Sequence, residues 1–287
     1  MKKIIIDTDL GGDCDDVGAL AVACNLAKRG DAELLAVTYC IGNPWGGYFT
    51  RHELDYFGFG KVPLGVLKDE SFMTDPGYSR YSRPICESWK IPTPDFDDAV
   101  KVLRRALSEN SDVTLIAIGP LRNIANLLDS KPDEISPLTG VELVKKSVRE
   151  FVTMLGSFRP DFTEWNVEMD IPSARKAVEK MPIPIIFSPF ELGDHIKTGN
   201  LLKTLPENHP VREAYRIYTN GGFSRPSWDL ITVYFAITDS NMWNLRETFV
   251  RIDEKGRFIE SPGSGMSALE QNADDAEIVK ILDELMK

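Results

Sequence analysis

Ile4-Ile5-Ile6-Asp7-Thr8-Asp9-Leu10-Gly11-Gly12-Asp13-Cys14-Asp15-Asp16-Val17-Gly18-Ala19-Leu20 is the stretch from which the fold is read. The short apolar run Ile4 to Ile6 reads as a buried strand, and Gly11-Gly12 as the turn that leaves its carboxyl end. Val17 to Ala23 then opens a helix that stops at Gly30. Between strand and helix, Asp7, Asp9, Asp13, Asp15 and Asp16 place five carboxylates in ten residues. In an open α/β sheet, ligands bind beyond the carboxyl ends of the strands, where these acids fall. Carboxylates so crowded repel one another, more so in a low-dielectric cleft. Protonation, the positive end of a helix or a divalent cation offsets that repulsion. An acidic cap with solvated turn residues uses one or two acids, fewer than are present. An all-oxygen cluster suits a hard ion such as Ca²⁺ or Mg²⁺, and Cys14 as a lone thiol does not make a soft-metal site.

Outward from this stretch, strand and helix patterns alternate. Leu34–Tyr39, Val62–Val66, Val113–Ile118, Val152–Gly156 and Ile183–Phe187 read as strands, with Pro184 at the very start of the last because it cannot donate to a ladder. Tyr48–Phe57, Ala99–Leu107, Pro120–Leu128 and Ile171–Lys180 read as helices. Residues 69–97, rich in Ser, Tyr and Pro, read as a long functional loop over one face. From about Leu201 the chain turns mainly helical, through Val211–Tyr218 and Trp228–Ile237. A hairpin at Phe249–Ile259 and a closing amphipathic helix at Ala276–Met286 follow. The alternation predicts a single α/β domain over residues 1–287, with a mostly parallel central sheet flanked by helices and the site at the strands' carboxyl ends. No internal repeat, low-complexity tract or linker interrupts it.

Composition narrows the function classes. Of 287 residues, 43% are apolar and 27% charged, as in an ordinary globular protein. Acidic residues outnumber basic ones 44 to 33, and a net charge of −11 disfavours nucleic acid and anionic membranes as partners. A small neutral or cationic ligand fits better. Cys14, Cys24, Cys40 and Cys86 show no C-x-x-C pair and read as free thiols of a reducing compartment. The first residues reach Asp7 too soon for a signal-peptide apolar region, and no apolar run approaches a membrane span of roughly 18–20 residues. A cytoplasmic protein is expected.

The segment Asp7-Thr8-Asp9-Leu10-Gly11-Gly12-Asp13-Cys14-Asp15-Asp16 resembles the amino-terminal signature of the inosine-uridine-type nucleoside hydrolases, D-x-D-x-G-x-D-D or a longer form with D-x-D-D. The resemblance extends, in order, through Gly119-Pro120-Leu121-Arg122-Asn123, through Met154-Leu155-Gly156 with Glu164-Trp165-Asn166, and to Trp228-Asp229. It implies hydrolysis of the N-glycosidic bond of a ribonucleoside or related N-riboside. By analogy Asp9, Asp16, Asp229 and the backbone carbonyl of Arg122 bind Ca²⁺, with Asp9 as general base and Asp7 and Asp13 behind them. Asp15, Asn43, Glu164 and Asn166 would hold the ribose. A homodimer or homotetramer is implied as well.

Two departures stand out. Trp228 occupies the place of the family's His, the leaving-group acid of some members. Phe158 falls where the family has a ribose-binding Asn, with Arg159 and Asp161 as the nearby substitutes. These departures keep open a non-catalytic ribose or nucleoside sensor on the same scaffold. D-T-D at a strand end also opens haloacid-dehalogenase-type phosphatases, but those carry their metal-binding acid pair late in the chain. Here the pair follows Asp9 by only six residues. Either another group, Arg225, Tyr215, Tyr218 or a water, takes over from the lost His, or, as is favoured here, the leaving group departs without protonation and Trp228 is free to stack on it.

Overall fold

The computed structural model describes residues 1–69 and 71–287. Its strands are β1 (Lys2–Thr8), β2 (Ala32–Tyr39), β3 (Leu64–Val66), β4 (Asp97–Asp98), β5 (Val113–Ala117), β6 (Val148–Met154) and β7 (Ile185–Ser188). Short β8 (Lys197–Thr198) and β9 (Arg225–Pro226) follow, then β10 (Trp243–Thr248), β11 (Val250–Ile252), β12 (Phe258–Glu260) and β13 (Met266–Gln271). The first six helices are α1 (Asp15–Arg29), α2 (Pro44–Tyr56), α3 (Ser82–Trp89), α4 (Ala99–Glu109), α5 (Arg122–Asp129) and α6 (Gly140–Ser147). The others are α7 (Trp165–Met169), α8 (Ile171–Lys180), α9 (Phe190–Gly193), α10 (Pro210–Tyr218), α11 (Trp228–Thr238) and α12 (Asp275–Leu285).

Nine strands form one sheet in the order β10-β13-β7-β6-β5-β1-β2-β3-β4. All pairings are parallel except β10 with β13, so the expected mostly parallel sheet is present. Ile4, Ile5 and Ile6 in β1 are fully buried because helices cover both faces, which is why their run does not alternate. One face packs against α1, α2, α3, α10, α11 and α12, the other against α4, α5, α6 and α8. The chain winds outward from β1 through β4, then returns to place β5 on β1's other side. That reversal opens a crevice at the carboxyl ends of β1 and β5.

Several expected boundaries shift by a few residues. The loop expected at 69–97 includes Glu70, outside the described residues, and also contains a 3-10 turn (Pro76–Ser79) and helix α3. Helix α6 and strands β10 and β13 were not legible in the local pattern: β13 carries the mixed run Met266-Ser267-Ala268-Leu269-Glu270-Gln271 and is held by β7 and β10 rather than by its own propensity. Ile185 starts β7 just after Pro184, as the missing donor requires. The hairpin forms from β11 and β12.

Helix α11 positions the site from below. Its sequence, Trp-Asp-Leu-Ile-Thr-Val-Tyr-Phe-Ala-Ile-Thr, is apolar nearly all round, and it lies buried against α1 and the sheet. Helix α2 packs from the side, with Asn43 as its cap and Pro44 at its first position. Gly46 in α2 meets the acidic loop directly: a Cβ there would fall 1.9 Å from the Leu10 carbonyl oxygen and 2.4 Å from the Tyr39 hydroxyl. Gly46→Ala must therefore push backbone, not a side-chain end. It is expected to destabilise the chain by about 1–3 kcal/mol, read by urea unfolding; unchanged stability would show that the α2 contact with the Leu10 turn is looser than described.

Candidate active site

The acidic loop is built by β1 and α1 together. Thr8, the last residue of β1, donates from its hydroxyl to Asp16 and accepts from the Leu10 amide at 3.1 Å. Asp15 and Asp16 form the first turn of α1, and Asp229 lies in the first turn of α11. The two helices pack side by side with both amino-terminal ends facing the same point. Each end favours negative charge there. The result is a trio of buried carboxylates, Asp15, Asp16 and Asp229, with oxygens all within 4.8 Å of one another. The Asp229 amide donates to Asp15 Oδ2 at 3.2 Å across 214 positions of sequence.

Asp9 is outside this trio but lines the same cleft, at the mouth of the β1–β5 crevice. Gly119, after β5, presses on it so closely that a Cβ would come 2.6 Å from Asp9 Oδ1. Asp7 points away into the sheet, where it accepts from its register partner Thr38 at 2.5 Å and from Asn123 at 2.8 Å. Asp13 forms an ion pair with Arg225, whose Nε donates at 2.9 Å.

Charge in this corner is under strain. Burial raises the carboxyls of Asp15, Asp16 and Asp229 well above the usual range, and their carboxylate neighbours push in the same direction. Burial likewise lifts Asp7 to about 7, against the hydrogen bonds from Asn123 and Thr38. Asp9 is lifted to about 7, by burial first and then by Asp13, Glu164 and Asp7, against a backbone hydrogen bond. Three converging all-oxygen donors with uncompensated charge suit a hard divalent cation, which answers the repulsion without protonation.

The cleft above the trio has a volume of about 550 Å³. One wall carries Glu164 and Asn166, at the start of α7, with Met154 and Ile118. Glu164 caps that helix: Oε1 accepts from the Asn166 amide at 2.7 Å and Oε2 from the Gly156 amide at 2.9 Å. Its carboxyl rises to about 7 through burial, opposed by these amides. Asn166 Nδ2 donates to the Met154 carbonyl at 3.1 Å. Tyr218, Arg225 and Trp228 also line the cleft, with Phe190 stacked on Trp228 at 5.2 Å. The Trp228 indole N–H donates to the Phe190 carbonyl at 2.8 Å. Asp75, Gly77, Tyr78 and Arg80 close the side, and Trp165 stands half exposed at the rim.

Other expected residues sit elsewhere. Asn43 does not line the cleft: it caps α2 and donates to the Asp75 carbonyl at 3.2 Å, bracing the loop that does. Arg122 is also set back, its side chain bound to Asp170 at 2.5 Å and Asp69 at 2.8 Å. Neither substitute for the missing Asn reaches the cleft. Arg159 pairs with Asp194, Asp161 pairs with Arg257, and Phe158 packs on Phe258. None of the three histidines lines it either. Local pattern did not single out Arg80, Tyr78 or Phe190; the one available signal was the composition of the 69–97 stretch, which carries the first two.

Comparison with known proteins agrees with this geometry. The model of the inosine-uridine preferring nucleoside hydrolase family matches residues 4–285. The non-specific ribonucleoside hydrolase RihC of Escherichia coli is 27% identical, with 89% of this chain and 85% of RihC covered. An uncharacterized protein of Schizosaccharomyces pombe is 28% identical over 69% of this chain, and the match spans 64% of that protein. The crystal structure of an inosine-uridine preferring nucleoside hydrolase from Bacillus anthracis superposes with a TM-score of 0.74 at 20% identity, over 100% of this chain and 99% of that one. The chain belongs to the inosine-uridine preferring nucleoside hydrolase family, a family of N-glycosyl hydrolases.

Proposed function

We propose that this chain hydrolyses the N-glycosidic bond of a ribonucleoside or related N-riboside, releasing ribose and the free base, with calcium as its cofactor. The observation that carries the reading is the buried trio Asp15, Asp16 and Asp229 beside Asp9 on the floor of a cleft of nucleoside size. Asp16 and Asp229 would hold the ion with Asp9, and Asp15 is placed to serve either the ion or a ribose hydroxyl. Arg122 enters only through its backbone carbonyl, since its side chain is engaged elsewhere. When bound, calcium would supply a hard, oxygen-seeking charge that takes up hydroxyls of the sugar and acidifies a water. Asp9, which lines the cleft beside the trio, would take the proton of the attacking water. Glu164 and Asn166 line the cleft, where an acid and an amide would orient the ribose, while Asn43 would act through the Asp75 loop. Carboxylates around the ring favour the oxocarbenium character that the sugar develops.

Trp228 cannot give a proton to a leaving base, because an indole N–H is not an acid at neutral pH and here is already donated to Phe190. Substrates whose base departs readily are favoured. Four buried free thiols support a cytoplasmic setting, and family membership supports a homodimer or homotetramer; among the described residues no helix is long and apolar enough to cross a membrane. The phosphatase alternative falls away with the family match over residues 4–285.

Two outcomes are expected. Ribosides should be hydrolysed on the order of 10²-fold faster than 2′-deoxyribosides, since a missing hydroxyl leaves buried polar groups unpaired. Chelation should abolish turnover, as should Asp229→Ala. Equal rates on both sugars discard the ribose assignment, and calcium and ribose binding without turnover of any riboside turns the reading into that of a sensor.

A further outcome concerns stability. Carboxyls raised in the folded state hold their protons more tightly there than in the unfolded chain. Their contribution is complete below the ordinary carboxylate range and lost as pH rises through the folded values, about 7 for Asp7, Asp9 and Glu164. Chelated protein should therefore unfold at lower urea at pH 8 than at pH 5.5, and calcium should close most of that gap. A chelated protein equally stable at both pH values would contradict the uncompensated charge.

A further inference from the structure

We propose that Arg225, held by Asp13, is the group that receives the negative charge of the departing base, now that Trp228 occupies the place of the family's His. The inference rests on the hydrolytic reading above and names the leaving-group residue for that reaction.

Arg225 lies in β9, whose only ladder is the two-residue pairing with β8, and it precedes Trp228 and Asp229 by three and four residues. It therefore shares a wall with the trio and lines the cleft with its side chain about a quarter exposed, at 28%. Asp13 fixes it through Nε, at 2.9 Å to Oδ1 and 3.0 Å to Oδ2, and through Nη2. The plane of the guanidinium is further confined by two rings, Tyr218 and Trp228, each 5.1 Å from its carbon. Among the described residues, Nη1 donates to no protein acceptor. A fixed cation is thus left with its free N–H groups beside Trp228, where the base must sit if the ribose lies over Asp9 and the trio.

Competing donors are weaker candidates. The Trp228 indole N–H is engaged by Phe190, and no histidine is at hand. Tyr218 is a neutral phenol that burial and then Asp13 make harder to ionise. Arg80 lies over the Tyr218 ring at 4.8 Å but is solvent-exposed at the rim. A guanidinium does not release its proton at working pH, so Arg225 cannot act as a general acid. It acts electrostatically, as a preorganised donor aimed at charge that develops in the transition state.

The step balances as follows. Water oxygen bonds to the anomeric carbon as the carbon–nitrogen bond breaks, and that bond's electron pair stays with the base. Asp9 takes the proton that water loses and afterwards gives it up to solvent, which restores the carboxylate. The base departs as an anion hydrogen-bonded to Arg225 and then takes a proton from solvent, giving ribose and neutral base. A leaving group that is already stable as an anion needs this help far less.

The test compares uridine with p-nitrophenyl riboside in the wild-type chain and in R225Q, R225K and D13N, with thermal melting as a check of folding. R225Q should lower kcat on uridine by about 10²-fold, in the range seen when one donor to a developing anion is removed. Its loss on p-nitrophenyl riboside should be at least about tenfold smaller, because that anion needs little stabilisation. R225K should recover part of the uridine rate, and D13N should show the same substrate-dependent pattern in weaker form, as a positioning residue would. Equal losses on both substrates, or a loss confined to KM, would reduce Arg225 to a structural partner of Asp13 and overturn the inference. No turnover of either riboside by the wild-type chain would overturn the hydrolytic reading, and this inference with it.

Discussion

Mutual repulsion among Asp15, Asp16 and Asp229 is the constraint around which this molecule is arranged. Three buried carboxylates within 4.8 Å of one another are held together by the fold against their own electrostatics. Two helix amino-termini face them, the Thr8 hydroxyl donates to one, and the Asp229 amide donates to another. These contacts soften the repulsion without removing it: burial first, and then the neighbouring carboxylates, raise all three carboxyls. The rest of the architecture serves to keep that corner closed. Apolar α11 cannot leave the core, and α2 approaches the Leu10 turn so tightly that only a glycine fits at position 46.

Above that floor the cleft divides by chemistry. Glu164 and Asn166 present a carboxylate and an amide held by the backbone of their own turn, suited to a polyhydroxylated ring. The same cleft carries Trp228, Phe190 and Tyr218, an aromatic surface edged by a cation whose partner, Asp13, belongs to the acidic loop. The loop that builds the floor therefore also fixes the cation beside these rings.

Much of this was legible because it is local. Strand, turn, acids and helix from Ile4 to Gly30 are contiguous, and their order alone points to a crevice at a strand's carboxyl end. Residues whose role depends on long-range placement were harder to read. Asp229 joins Asp15 only through the packing of α1 on α11. Asn43 reads equally well as a sugar ligand or as a turn residue after Gly42, and the structure makes it the cap of α2, bracing the Asp75 loop. Arg159 and Asp161 looked available as ribose ligands until their partners Asp194 and Arg257, brought in from elsewhere in the fold, engaged them. Strand β13 owes its state to its neighbours in the sheet, which a window of six residues does not contain.

The most direct measurement is anomalous diffraction from crystals grown with calcium. A single strong peak is expected in contact with carboxylate oxygens of Asp16 and Asp229, at roughly 2.3–2.6 Å, the distance calcium keeps from oxygen ligands. Ordered side chains for Asp15, Asp16 and Asp229 with no peak among them, at calcium concentrations that fill other sites, would contradict a cation as the answer to their repulsion.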